Sequence, residues 1–461
     1  MKKTKDLTEG ALFPHMLSIA LPMMIGMTAH MFLNIIDGVF VSRLGMDESL
    51  AVLNYGFPFF YLIFAIFNGL TTGATSTIAR LLGAKEKSKA ENTQSQIVWV
   101  ALAIFVIFIM IYPFILPVYL TSQKASALSS ALTHTYLNTL FLGVPFLIVA
   151  LLGGSGLRAE GNTRTMMTGM MLGTLINIII APFLIFSHFH FMGVEWKGLG
   201  LSVAGAGYAS TVSNLITAVV VLSIYIRKGT ALKFIVWPNW KDKSGLVDAF
   251  KVGLPSILSQ SLIGVNIFIL TKFATQFGPS AVAAIGIGSR LESLAVFPAL
   301  SIMVAILSLV GQNFGAKKYD RVEKSVRMGL LSGFIVLSIV GALVHFFRHS
   351  LIQNFHPDAA TLISADHYIG VTTMGYCFVG LSIISSGAFQ GLGRGLPFLS
   401  LTIMRLVLIA APLAYFLSLT HGENGLHYAP LLASGFTALV ASTWILIAVK
   451  KLRLQGQASA A

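Results

Sequence analysis

Twelve windows of about 20 predominantly apolar residues recur along this chain, near 15–41, 51–79, 95–120, 131–155, 166–186, 201–226, 252–274, 281–310, 327–347, 367–389, 397–418 and 428–449. A soluble fold cannot bury so many, because each would need a protein partner on every side. In lipid, each window satisfies its own backbone by becoming a helix. The bulk figures agree: of 461 residues, 55% are hydrophobic and 10% charged, with a mean hydropathy of +0.81. The expected fold class is an all-α integral membrane protein with 12 transmembrane helices. The first window is long, lacks an A-x-A cleavage pattern and is followed by similar segments, so it reads as a retained helix. Cys377, the sole cysteine, stands in an apolar run, so no disulfide forms within the chain and redox compartment is not readable.

The net charge of +14 is not a nucleic-acid signature. Basic residues cluster in short loops on one side: MKKTK, GAKEKSKAENTQ, LRAEGNTR, RKGTALKFIVWPNWKDKSG, GAKKYDRVEK, QGLGRG and KKLRLQ, with their flanks, hold 24 of the 31 Lys and Arg. The opposite side holds 5, and two lie within spans. The positive-inside bias then makes both termini cytoplasmic in a multi-pass protein of a bacterial inner (cytoplasmic) membrane.

The chain also repeats itself. ALP (20–22) answers GLP (253–255), LLGAKEK (81–87) answers NFGAKKY (313–319), and RAEGNTR (158–164) answers QGLGRGL (390–396). IIIAPFLIF (178–186) likewise answers LIAAPLAYF (408–416), and the offset stays between 230 and 233. A period of six spans preserves topology, so two six-helix lobes are related by a parallel repeat. The expected division is an N-terminal lobe at 1–226, a cytoplasmic linker at 227–251 and a C-terminal lobe at 252–461. Two-repeat membrane proteins usually bind substrate at the lobe interface and work by alternating access, which outranks a channel or receptor.

Few ionisable groups other than histidine fall in the spans: Asp37, Arg290, Glu292 and Arg405. Each costs about 2.5–3.5 kcal/mol in hydrocarbon on insertion scales, so each needs a cavity or a partner. After Pro22, the first span carries Met23, Met27, His30, Asn34 and Asp37 at spacings of 4, 3, 4 and 3, on one helical face. At ~1.5 Å per residue, Asp37 lies about 12 Å below the outer surface, with Asn177 and Ser210 at similar depth and Tyr136 shallower. That layer is a candidate site, with Met23, Met27, His30, Asn34, Tyr136, Ser210 and Arg290 lining a substrate cavity. The bland alternatives are a structural hydrogen bond from Asp37 to Asn34 or Asn177, a satisfied core histidine at His30, and packing methionines. An isolated acid in an apolar pocket can stay protonated and ionise when water or a cation arrives. A proton and a cationic substrate competing for one carboxylate is the simplest antiport coupling.

DGVFVSRLG with the following LAVLNYGFP, LRAEGNTR, NIIIAP and the two six-span halves together resemble the multidrug and toxic compound extrusion (MATE) family over nearly the whole chain. The resemblance implies a V-shaped pair of bundles that export organic cations in exchange for H+ or Na+. It is closest to the DinF-like branch, which implies Asp37 as the proton or ion site, Asn177 as its neighbour and Pro22 as a helix hinge. A static kink at Pro22 is the equal alternative.

Three departures matter. Some relatives carry N-x-x-x-D-P in the fifth span, where this chain has NIIIAP with Ala181, so a multidentate sodium site is short of oxygens. The seventh and tenth spans lack the acids of the NorM-type branch. Arg290 stands level with Asp37 in the other lobe and must face water, an anion or carbonyls. It forms either a positive wall that disfavours cations there or a structural tie. Arg405 reads as structural, and Glu292 points away from Arg290.

The expected function is proton-coupled multidrug efflux of cationic amphiphiles, with protonation of Asp37 as the switch. No cofactor or metal is expected; H+ is the coupling ion, with Na+ kept open. The expected partners are small organic cations and membrane lipids, not nucleic acid, and the expected state is a monomer. A flippase of a lipid-linked or anionic amphiphile is the rival, and it would call for several cavity arginines. An enzyme would need motifs such as HExxH, which do not occur.

Overall fold

The structure, a computed structural model, describes residues 6–44, 47–191, 193–227 and 229–458. Side chains at 30–35, 37, 47–50, 191 and 267 lie outside that description. The chain is almost wholly helical, and eleven helices are long and apolar enough to cross a membrane, or twelve when one bent pair counts as a single span.

The first half runs α1 (Leu12–Ser42), α2 (Asp47–Gly83), α3 (Lys87–Ser122), α4 (Ala127–Phe141), α5 (Val144–Ala159), α6 (Thr163–Ile185), a hairpin of β1 (His188–Phe191) and β2 (Val194–Lys197), and α7 (Val203–Ile226). The second runs α8 (Ser244–Ala274), α9 (Pro279–Gly315), α10 (Tyr319–Gln353), α11 (Ala359–Thr372), α12 (Tyr376–Gly391), α13 (Leu396–Ile403), α14 (Ala411–His421) and α15 (Glu423–Ala458).

Two interruptions repeat at matching places. α4 and α5 form one span bent by 40° at Leu142–Gly143, where Gly143 lets the backbone approach Thr211 of α7: a Cβ there would sit 2.8 Å from the threonine hydroxyl. Pro145, at the start of α5, lacks the donor that would continue α4. In the second half the equivalent span breaks at a tight turn, Thr373–Gly375. A third irregularity is a widened π turn, Met404–Ala410, between α13 and α14. Pro412 follows it, and its ring would collide with the carbonyl four residues back in a regular helix, so the turn opens instead.

The packing defines two lobes joined at one end. One buried core takes Leu7, Ile19, Phe67, Leu70 and Ile78 from the first half together with Ile306, Leu309, Val310, Ile384 and Phe389 from the second. This shared core lies toward the face that carries the basic loops, called here the basic face. Toward the opposite face it divides. Val41, Val52, Ala181, Ile185 and Ala206 form a core of the first lobe alone, while Leu270, Ala284, Leu291, Tyr368 and Ile369 form one of the second.

Lipid gives helices no hydrophobic reason to associate, so the joint depends on close backbone contact between small residues. Gly69 and Gly73 of α2 meet Ile257, Ala249 and Gly253 of α8, Gly83 abuts the Gln312 carbonyl, and Gly315 abuts the Arg80 carbonyl. Polar ties reinforce it: Ser308 Oγ donates to Arg158 O at 2.9 Å, Gln312 Nε2 to Ala159 O at 2.7 Å, Tyr61 Oη to Gln260 O at 3.0 Å, and Ser76 Oγ to Gln390 O.

The segment before α1 adds a plug. Leu7 is fully buried, and its carbonyl accepts from Asn313 Nδ2 at 3.2 Å, while Lys318 Nζ donates to Thr8 O at 3.0 Å. Burial would raise the Asp6 carboxyl, but hydrogen bonds from Thr8 and the charges of Lys318 and Lys85 outweigh it and hold the group below its ordinary value.

Of the stretch expected as linker, 227–251, only the part before Ser244 is irregular; the remainder opens α8. That irregular part is strapped to the first lobe. Gln96 Nε2 donates to Asn239 O at 2.7 Å and Asp242 O at 2.8 Å, and Trp99 Nε1 to Val236 O at 2.7 Å. Glu160 accepts from Thr230 Oγ1 at 2.6 Å and Leu232 N at 2.9 Å.

Candidate functional site

Helix α1 passes uninterrupted through Pro22, which is buried. Proline has no N–H for the Ser18 carbonyl one turn back. Thr163, at the start of α6, supplies the replacement: its hydroxyl donates to Ile19 O at 2.9 Å and approaches Ser18 O at 3.4 Å. The second half of the LRAEGNTR motif therefore anchors the proline turn.

Beyond Pro22 the described members of the stripe, Met23 and Met27, face the other lobe. Met23 is buried in the shared core, and Ser301 Oγ of α9 lies 3.7 Å from Met27 Sδ. The remaining members of the stripe, His30, Asn34 and Asp37, fall within α1, but their side chains lie outside the described residues.

Helices α1 and α6 run side by side in the same direction. A Cβ on Gly26 would meet Met167 Cα at 3.2 Å and Met170 Sδ at 3.3 Å, and farther along Val41 and Ala181 share the first lobe's own core. Asn177 falls between these levels, at the turn of α1 that contains position 37. Asn177 is fully buried, and neither its Oδ1 nor its Nδ2 has a hydrogen-bond partner among the described residues. Thr174, one turn earlier, is also buried with its hydroxyl unpartnered among them. A buried amide left unpaired costs about 1–3 kcal/mol per group, so a water, a side chain or a bound polar group at this place would be favoured. Thr174 was not singled out in the sequence; its i, i+3 spacing to Asn177 was the available signal.

The other two members of the layer are on neighbouring helices. Tyr136 of α4 lies against α2, where a Cβ on Gly56 would sit 3.2 Å from its ring. Ser210 of α7 is half-buried, and the residue after it, Thr211, donates to Thr139 O of α4 at 2.9 Å. Ala181, where some relatives carry an acid, is buried in the apolar core.

Across the cleft, α9 presents Arg290, Leu294, Phe297 and Ser301 at helical spacing, and about two and three turns farther the same face reaches Ser308 and Gln312, which bond the first lobe. Arg290 is therefore on the side that looks toward the other lobe, above the joint. It is exposed, and its guanidinium lies 5.8 Å from the centre of the Phe355 ring. The expected partner was water, an anion or carbonyls; the contact found is an aromatic face, which attracts a cation through its quadrupole. Glu292, two residues on, lies within electrostatic reach of Arg405 in the widened turn before α14 and of Tyr368 and Tyr376. Among the described residues no group of three or more His, Cys, Asp or Glu could hold a metal ion.

Two lobes of six spans, sealed at one end and parted at the other over a polar layer, are the architecture of a multi-pass membrane transporter. The MatE family model matches residues 22–183 and again 255–416, one copy in each half, and the chain belongs to that family. It is 28% identical over 444 residues to the multidrug export protein MepA of Staphylococcus haemolyticus, covering 94% of this chain and 93% of the relative. The MepA protein of a bovine Staphylococcus aureus strain is 27% identical at the same coverage. A solved outward-facing conformation of a multidrug resistance MATE family transporter of the MOP superfamily superposes with a TM-score of 0.91 at 26% identity, over 98% of this chain and 99% of that one.

Proposed function

We propose that the protein is a secondary-active exporter of cationic amphiphilic compounds, driven by proton antiport, with protonation of Asp37 as the coupling switch. The observation that carries the reading is the buried amide of Asn177, unpartnered among the described residues, at the turn of α1 that contains position 37. A buried donor and acceptor without partners among the described residues, on the same level as a lone acid in the sequence, suit a pocket that is alternately protonated and filled. The names of the MepA relatives support multidrug export as the activity.

In this scheme the basic face is cytoplasmic, the membrane is the bacterial inner membrane, and the described state is open to the outside. An inward proton gradient supplies about 2.3 kcal/mol per charge per 100 mV. Sodium coupling is disfavoured because Ala181 removes a second carboxylate from the layer. Pro22, with Thr163 beside it, is the point at which α1 would bend.

Asp37→Asn is expected to abolish efflux of ethidium from proteoliposomes under an imposed pH gradient while leaving expression intact. Continued efflux by the variant overturns the coupling role, and drive by a sodium gradient alone overturns the choice of ion. Arg290, exposed on the cleft side of α9, favours the rival reading of an anionic amphiphile as cargo. That rival predicts loss of transport in Arg290→Gln, whereas the exporter reading predicts that cation efflux survives.

A further inference from the structure

A charged pair lies away from the inter-lobe cleft, in a groove between α10 and α11 on the outside of the second lobe. Arg348 Nε donates to Asp366 Oδ2 at 3.1 Å, and Arg348 Nη1 to the His345 carbonyl at 2.8 Å. His349 Nδ1 stands 3.8 Å from Asp366 Oδ1, and the groove encloses about 490 Å³.

Its surroundings are those of a lipid-facing wall. Ile363 is 72% exposed and Met374 61%, both lining the groove, and Phe346 beside it is 85% exposed. Its depth can be measured along α10. Arg327 and Arg348 are 21 residues apart with no Asp, Glu, Lys or Arg between them. At ~1.5 Å per residue that is about 32 Å, close to the ~30 Å of a bilayer's hydrocarbon core. With Arg327 near the basic face, Arg348 stands at the headgroup level of the opposite leaflet.

We propose that this groove is a headgroup site for a zwitterionic aminophospholipid of that leaflet. Arg348 Nη2 carries no hydrogen bond among the described residues and offers its N–H groups to a phosphate, while His349, whose Nε2 accepts from Gln353 Nε2 at 3.0 Å, turns Nδ1 toward Asp366. Asp366 offers carboxylate oxygens to the ammonium. The groove holds one fixed positive and one fixed negative charge side by side, which matches a headgroup that carries both. A purely anionic headgroup leaves Asp366 opposed, and a choline headgroup has no N–H to donate to it. The apolar walls at Ile363 and Met374, and the exposed Phe346 beside them, receive the acyl chains.

The test is native mass spectrometry on delipidated protein titrated with phosphatidylethanolamine, phosphatidylcholine, phosphatidylglycerol or inorganic phosphate. Phosphatidylethanolamine should bind at least about tenfold more tightly than phosphatidylcholine or phosphatidylglycerol. Arg348→Ala and Asp366→Asn should each erase that preference, while Arg348→Lys, which keeps the charge and folds as a control, retains part of it. Equal affinity for the three lipids, an undiminished preference in Asp366→Asn, or displacement of the lipid by inorganic phosphate overturns the proposal. Binding is read without transport, so the outcome is independent of the coupling scheme at Asp37.

Discussion

The guanidinium of Arg321, at the start of α10, clasps the backbone around Leu7: Nη2 reaches the Leu7 carbonyl at 3.3 Å and the Glu9 carbonyl at 3.2 Å, and Nη1 donates to Gly10 O at 2.9 Å. Leu7 precedes the first helix of one lobe, whereas Arg321 belongs to the other. The contact therefore bridges the two halves of the chain at the basic face. Arg321→Ala is expected to weaken the plug by about 1–2 kcal/mol, at the low end for charged hydrogen bonds because the site is partly solvated. The rate at which a thiol reagent labels Leu7→Cys should rise about tenfold; an unchanged rate would show that the clasp does not hold the plug.

Gly83 and Gly315 are expected to be intolerant of even a methyl group. A Cβ on either would press into the backbone carbonyl of Gln312 or Arg80 across the lobe joint. Backbone cannot swing aside as a side-chain tip does, so Gly83→Ala should cost the sealed arrangement about 1–3 kcal/mol. Spin labels across the basic face would report a wider distance distribution. Gly286→Ala, where a Cβ would meet no atom within 4 Å, is the control and should leave the distances unchanged.

Thr163 and Pro22 should be energetically coupled. Thr163→Val removes the hydroxyl that donates to Ile19 O at 2.9 Å and reaches Ser18 O at 3.4 Å, and so strips the Ser18 carbonyl, which has no backbone donor at Pro22, of its side-chain donor, a loss of about 1–3 kcal/mol. In a Pro22→Ala background the restored N–H serves the neighbouring Ser18 carbonyl, so the same change should cost less. A double-mutant cycle on thermal unfolding in detergent checks this, and strict additivity refutes it.

Glu160 gives the strap a pH dependence. Burial raises its carboxyl above the ordinary 4.5, and the hydrogen bonds from Thr230, Leu232 and Ala231 only partly offset that. The folded state therefore binds the proton more tightly than the unfolded one, and the stability contributed here is greatest in acid. It falls as pH rises from 4.5 through the raised value and then levels off. Unfolding profiles of the wild type and Glu160→Gln should diverge over that interval; parallel profiles would contradict the assignment.

The spans were legible because lipid forces each apolar window to satisfy its own backbone, and the repeat was legible because its glycines and prolines recur at a fixed offset. Pro145 signals the break before α5, but the matching turn at Thr373–Gly375 contains no proline and leaves no such mark. Pairings over long sequence separations were not legible. Nothing in the periodicity joins Arg290 to Phe355 or Glu292 to Arg405. The linker read as a basic connection because its charges were visible, whereas the Gln96, Trp99 and Glu160 contacts that strap it down come from distant helices. At the candidate site, depth counting drew attention to Asn177, but only packing reveals that its amide is buried and unpartnered among the described residues.

A body with one core at one end and two at the other occupies unequal areas in the two halves of its bilayer. If the proposed cycle reverses which end is joined, that excess area moves from one leaflet to the other, and the work of such a cycle includes work against lateral pressure. Lipids that favour curvature of one sign would then shift the resting balance between the two arrangements without touching any residue of the pocket.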